Sequence, residues 1–230
     1  MKDENPSVAP PLRLLLAGAT GIVGRAVLAL ALADPRVREV VALTRRPLPA
    51  QDRLANVVAD FDALPVEAAW WAVDAVVCTL GTTMKAAGSQ ERFAAVDRDL
   101  PVLVARRARD AGAGRFALNS ALGANSASGN FYLRTKGEAE EAIRRLGYPS
   151  LTLVRPSLID AERSESRPGE RAGILFGRLL RPLIPARYRP VSPQAIARAL
   201  LEGAVQGLPG VRIVESEALS EDCKSAEGTC

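Results

Sequence analysis

The chain has 230 residues, 48% apolar and 24% charged, with 30 Lys and Arg against 26 Asp and Glu for a net charge of +4. That length supports one large α/β domain or two small ones, and that apolar content supports a sizeable core. The chain contains no histidine, which excludes Ser-His-Asp and Cys-His nucleophile schemes and histidine metal ligation, so acid–base chemistry falls to Tyr, Lys, Asp, Glu, Cys or a bound cofactor.

Residues 1–11 are polar and proline-containing. They lack the apolar stretch of a secretion signal, so a flexible lead-in and a cytoplasmic protein are expected. No apolar run has membrane-spanning length, and no membrane partner is expected. An apolar run over 12–17 then stops at Gly18, and Gly21 and Gly24 follow at three-residue steps before a helical pattern over 22–33. Strand, glycine turn and helix N-terminus in that order form a phosphate cradle. Gly18 permits the tight turn, Gly21 admits a pyrophosphate close to the backbone, and Gly24 lets the helix pack on the strand. Ala19, Thr20, Ile22 and Val23 complete the cradle, whose free N–H groups and positive dipole end face the phosphates.

Further β-like runs are expected at 39–43, 56–58, 74–80, 115–119, 150–154 and 211–214. Several are continuously apolar, as strands buried on both faces are. Helical patterns fall at 92–111, 132–146 and 193–205. In the 132–146 segment Glu138, Glu141 and Arg145 share one face, and Ala142, Ile143 and Leu146 supply an apolar one. Alternating strand and helix predicts an α/β fold, a single doubly wound parallel sheet with helices on both faces, over residues 12–216. A small substrate-side segment is expected near 157–192, with an inserted loop at 162–173, and a mobile tail over 217–230. Cys78 is expected as a buried thiol. Cys223 and Cys230 lie in the polar tail, so no disulfide or metal site is expected.

Such sheets bind ligands at the carboxyl ends of their strands. The second strand ends in Thr44, Arg45 and Arg46, where NAD-preferring sites carry a carboxylate for the ribose 2′-hydroxyl. Arginine instead grips a 2′-phosphate bidentately. One such bond contributes roughly 1.5–3 kcal/mol, about tenfold to hundredfold in affinity, so NADP(H) is expected over NAD(H). Asp60 and Phe61, after the third strand, are candidates for the adenine.

Ser120, Tyr132 and Lys136 form a second constellation. Tyr132 and Lys136 are four apart at a helix start and share a face, and Ser120 ends the fifth strand, where it can face them across the crevice. A phenol of ordinary acidity is a poor base at neutral pH, and a neighbouring ammonium favours the phenolate. Ser120 would hold the substrate oxygen where hydride and proton transfer coincide. The basic residues are scattered and aromatics make up only 4%, so no nucleic-acid partner is expected.

These features resemble the short-chain dehydrogenase/reductase superfamily. The segments LTRRPL, CTLGTTMKAAG, VDRDL, FYLRTKGEAE, VRPSLI and ESRPGE look like its atypical, Tat-interactive-protein-like NADPH-binding branch. The resemblance implies a Rossmann fold with the cofactor passing along Leu80, Gly81, Thr82 and Thr83. It places Ser120, Tyr132 and Lys136 at the superfamily's catalytic positions. Pro156, Ser157 and Leu158 would lie beside the nicotinamide amide. One departure is that Val96, Asp97, Arg98 and Asp99 stand where many members place an asparagine, which puts a proton relay through that asparagine in doubt.

The favoured function is an NADP(H)-dependent oxidoreductase of a small carbonyl or alcohol. Alternatives are a cofactor-binding regulator with a protein partner, in which Arg163, Arg167 and Arg171 of the 162–173 loop display a surface, and an epimerase or isomerase that retains its cofactor. A monomer or homodimer is compatible with all three.

Overall fold

A computed structural model describes residues 10–160 and 185–219. The 162–173 loop with its three arginines, most of the 157–192 segment, and Cys223 and Cys230 in the tail lie outside the described residues. Seven strands run β1 (Leu12–Ala17), β2 (Val37–Thr44), β3 (Leu54–Val58), β4 (Ala75–Cys78), β5 (Arg115–Asn119), β6 (Ser150–Arg155) and β7 (Gly210–Glu215). They form one sheet in the order β3-β2-β1-β4-β5-β6-β7, and every pairing is parallel. The order reverses between β1 and β4, which opens a crevice at their carboxyl ends.

The helices are α1 (Ile22–Ala33), α2 (Met84–Ala87), α3 (Gln90–Ala94), α4 (Leu100–Asp110), α5 (Phe131–Arg144) and α6 (Pro193–Gln206). Continuous apolar strands need cover on both faces, and two separate cores supply it. Leu14, Leu16, Val40, Ala42 and Val77 pack under α1 and α6 with Val27, Ile196 and Leu200. Leu15, Val41, Val76, Phe116 and Leu151 pack on the other face with Val104, Ala108 and Ile143 from α4 and α5. Successive residues of one strand therefore serve opposite cores, as the pleat dictates.

One expected helix is interrupted. The 92–111 pattern divides into α3, a π-helical turn at Ala95–Asp99, and α4. Pro101 sits in the first turn of α4. It has no N–H for the carbonyl four residues back, and its ring crowds that carbonyl. The widened turn accommodates both, and it carries Asp97.

Candidate active site

The β1–α1 turn is built as the glycine spacing requires. Gly18 has φ +95°, and a Cβ there would lie 2.6 Å from Thr79 Oγ1 and 2.8 Å from the Thr79 carbonyl carbon. A Cβ on Gly24 would lie 1.9 Å from the Gly18 carbonyl oxygen, so only glycine allows α1 this close to β1. Gly21 differs. A Cβ there meets only the Gly18 oxygen at 3.4 Å, an ordinary contact, so protein packing leaves space on this side. Gly21 is also the N-cap of α1, with no side chain on the helix's first N–H groups. An uncapped helix start beside an open glycine fits a pyrophosphate. Around it Ala19 and Val23 are buried, and Thr20 and Ile22 are exposed.

At the carboxyl end of β2, Thr44 is buried and donates to the Arg46 carbonyl at 2.7 Å. Asn56 Nδ2 donates to Thr44 Oγ1 at 2.8 Å and to the Ala42 carbonyl, and its Oδ1 accepts from Leu48 N–H. This brace fixes the backbone of the turn while leaving the Arg45 and Arg46 side chains exposed. Neither arginine makes an ion pair among the described residues. Asp60 accepts from Asp62 N–H at 3.0 Å, so one of its carboxylate oxygens closes a local turn. Phe61 is half-buried against the core.

Leu80, Gly81, Thr82 and Thr83 leave β4 across the crevice floor. Thr83 caps α2. Thr82 N–H donates to Asp97 Oδ2 at 2.8 Å. Asp97 Oδ1 pairs with Lys136 Nζ at 2.7 Å, the two side chains being 1% and 7% exposed. Asp97 thus joins the β4 loop, the π turn and α5. A Cβ on Gly81 would approach Asp97 Oδ1 to 3.2 Å and Lys136 Nζ to 3.7 Å, which places the Lys136 ammonium directly beside this loop.

Tyr132 lies one helical turn nearer the crevice and is 38% exposed. Its ring rests on buried Phe93 at a centroid distance of 5.6 Å. Its hydroxyl has no hydrogen-bond partner among the described residues. The α5 N-terminus is capped by Asn130, which accepts from Leu133 N–H. The preceding loop lies against Gly137, where a Cβ would fall 2.2 Å from the Asn125 carbonyl carbon.

Ser120 departs from the expected facing geometry. It is buried, and its hydroxyl donates to Glu140 Oε1 at 2.6 Å. Eight residues separate Tyr132 from Glu140 on α5, about 12 Å along the axis. Ser120 alternates with Leu118 and Phe116 onto the core face beneath α5, so its hydroxyl engages the helix well below Tyr132. Glu140 is fully buried and takes Arg155 Nε at 2.9 Å, Arg155 NH2 at 2.6 Å and Arg144 NH2 at 3.2 Å. Arg155 extends the chain to Glu215 at 3.1 Å. On the far wall Leu122 N–H donates to the Pro156 carbonyl at 2.8 Å. Ser157 N–H donates to Ser216 Oγ at 3.1 Å and its hydroxyl to the Arg189 carbonyl, while Leu158 is exposed.

Asp97, Glu140 and Arg155 were not among the expected site residues. Asp97 lies in the Val96–Asp99 stretch that stands where many members of the superfamily place an asparagine, and that departure was its only signal. Glu140 carried a weaker one, falling on the same i, i+4 stripe as Tyr132 and Lys136.

The sequence matches the NAD(P)H-binding family over residues 18–178. The rat protein HTATIP2 is 32% identical over 234 residues, covering 99% of this chain and 93% of its own. "Protein fmp52, mitochondrial" of Aspergillus fumigatus is 37% identical over 171 residues, covering 68% of this chain and 70% of its own. The solved structure of the Bordetella bronchiseptica enzyme WbmH in complex with NAD+ superposes with a TM-score of 0.63 at 18% identity, covering 94% of this chain and 81% of that one. At that identity the likeness speaks for the fold alone. The fungal relatives are named as mitochondrial, which overturns the expected cytoplasmic location. A polar N-terminus argues only against secretion, because organelle import does not use an apolar signal core. With its nucleotide cradle, parallel sheet and relatives in agreement, the chain belongs to the NAD(P)H-binding family, among the atypical short-chain dehydrogenase/reductases that resemble HTATIP2.

Proposed function

We propose that this chain is an NADP(H)-dependent oxidoreductase of a small carbonyl or alcohol, with Tyr132 exchanging the substrate proton and Lys136 beside it. The observation that carries this reading is the arrangement on α5. Lys136 is buried and fixed beside Gly81, while Tyr132, on the same face one turn toward the crevice, is exposed with a free hydroxyl. A fixed cation below an accessible phenol, at the carboxyl end of the sheet, is an arrangement suited to proton exchange with a bound substrate.

The residues that would hold the dinucleotide are the cradle from Gly18 to Gly24 for the pyrophosphate, Arg45 and Arg46 for the 2′-phosphate, and Asp60 and Phe61 at the adenine. Leu80 to Thr83 would run along the cofactor, and Pro156, Ser157 and Leu158 would border its nicotinamide end. When bound, the nicotinamide supplies or accepts the hydride. Tyr132 donates its phenolic proton to a substrate oxygen, or receives one in the reverse direction. Lys136 keeps donors directed at the cofactor side, because Asp97 takes only one of its three N–H groups. Ser120 supports the site from below by joining β5 to Glu140 on α5.

Tyr132→Phe removes the proton and leaves the ring on Phe93. Its expected effect on NADPH oxidation across a panel of diketones, quinones and aromatic aldehydes is a loss of about 10²- to 10⁴-fold. Turnover equal to the unaltered protein on every active compound would overturn the assignment. The mitochondrial relatives favour that compartment for this chain too, and fractionation of cells expressing it checks this, with a purely cytosolic pool as the opposing result.

A further inference from the structure

We propose that Asp97 is a specificity-determining residue for the redox state of the cofactor, holding the nicotinamide end of the crevice at zero net charge so that the cationic, oxidised form is not repelled. This rests on the reading of the crevice as an NADP(H) site. The Lys136 ammonium stands beside Gly81, 3.7 Å from where a Cβ would be, and is 2.7 Å from Asp97 Oδ1. Both side chains are withdrawn from solvent, so their charges are weakly screened and each is felt by its surroundings. With a neutral amide at position 97 the same pocket would carry a full positive charge. The oxidised and reduced nicotinamides differ by one positive charge at the ring. A carboxylate therefore acts on the two forms unequally, whereas a residue that only braces the loop acts on them alike.

Asp97 is also placed to do this without moving. Its second oxygen is held by Thr82 N–H at 2.8 Å, and the π turn that carries it is set by Pro101. The carboxylate is thus fixed from the β4 loop, the π turn and α5 together, and Gly81 leaves no side chain between it and the crevice.

The test is a charge cycle read by binding. Dissociation constants for NADPH, from its fluorescence, and for NADP+, by competition, are measured for the unaltered chain, Asp97→Asn, Lys136→Met and the double variant. Net charges at the pair are zero, plus one, minus one and zero. The expected ratio of the NADP+ constant to the NADPH constant rises about threefold to thirtyfold in Asp97→Asn, the range for a buried charge beyond contact distance at an effective dielectric constant of about 20. It falls in Lys136→Met and returns in the double variant to within about twofold of the unaltered chain. If Asp97→Asn does not fold, the step from Lys136→Met to the double variant reads the same charge change. Equal weakening of both forms, with the ratio unchanged, would make Asp97 a structural brace and overturn the proposal. If the unaltered chain binds neither form, the underlying cofactor reading fails and this proposal falls with it.

Discussion

Gly21 and Gly24 sit three residues apart in one motif, yet the structure assigns them different tasks, and alanine at each separates the two. A Cβ on Gly24 would stand 1.9 Å from the Gly18 carbonyl oxygen, and that distance must open by about 1.5 Å to reach the 3.4 Å of ordinary contact. The two nearest opposing atoms, the Gly18 carbonyl oxygen and carbon, are backbone, so no side-chain rotation relieves them. Overpacking of this kind costs about 1–3 kcal/mol, and the rigid backbone puts Gly24→Ala at the upper end. The gain in helix propensity from alanine, at most about 1 kcal/mol, leaves a net loss near 2 kcal/mol. For a chain of this size that lowers the melting temperature by about 4–8 °C. A Cβ on Gly21 meets only ordinary contact, and its φ of −72° suits alanine. Loss of glycine at an N-cap costs about 0.5–1 kcal/mol, about 1–4 °C. On the proposed reading of the cradle the same Cβ would enter the space of the pyrophosphate, so NADPH affinity should fall at least about tenfold. Thermal melting without ligand, paired with NADPH fluorescence titration, measures both quantities. Gly21→Ala that binds NADPH within twofold of the unaltered chain would refute the placement of the phosphates. Gly24→Ala that melts unchanged would refute the packing argument.

Replacing Arg45 and Arg46 together by Ala should weaken NADPH by about tenfold to hundredfold, the worth of one charge-assisted bond, while NADH changes little. Equal losses for both nucleotides would show that these exposed arginines do not read the 2′-phosphate. Arg155→Met leaves the buried Glu140 carboxylate short of its principal partner and should destabilise the chain by about 3–5 kcal/mol. The double change Arg155→Met with Glu140→Leu should recover most of that loss in denaturant melts, and no recovery would mean that the arginine acts through packing alone. Burial pushes the Cys78 thiol up to about 11. The folded chain then keeps a proton that the unfolded chain gives up. The stability this contributes is intact below pH ~9 and falls as pH rises toward 11, by about 2–3 kcal/mol. Cys78→Ala should make this alkaline limb shallower, and an equally steep limb would contradict the assignment.

Much of the sheet was legible in the sequence because its signal is local. Residues 12–17 and 115–119 carry apolar runs whose limits are those of β1 and β5. The 22–33 pattern likewise has the limits of α1. Glycine, strand and helix in sequence were enough to locate the cradle, since each glycine answers a constraint set within a few residues. Pro101 was visible as well, but its consequence, a π turn that presents Asp97, depends on where the helix must run across the sheet.

Sequence by itself determined the fold class, the glycine turn between β1 and α1 and the shared helix face of Tyr132 and Lys136, because periodicity and short spacings specify a face of a helix or an edge of a strand. Tertiary structure decided who partners whom. Lys136 meets Asp97 because α5 packs against the π turn, and Ser120 turns to Glu140 because the Glu140 turn of α5 lies level with the end of β5. Pairings between elements are set by sheet order and helix depth, and buried charges must find partners at whatever positions that packing brings within reach.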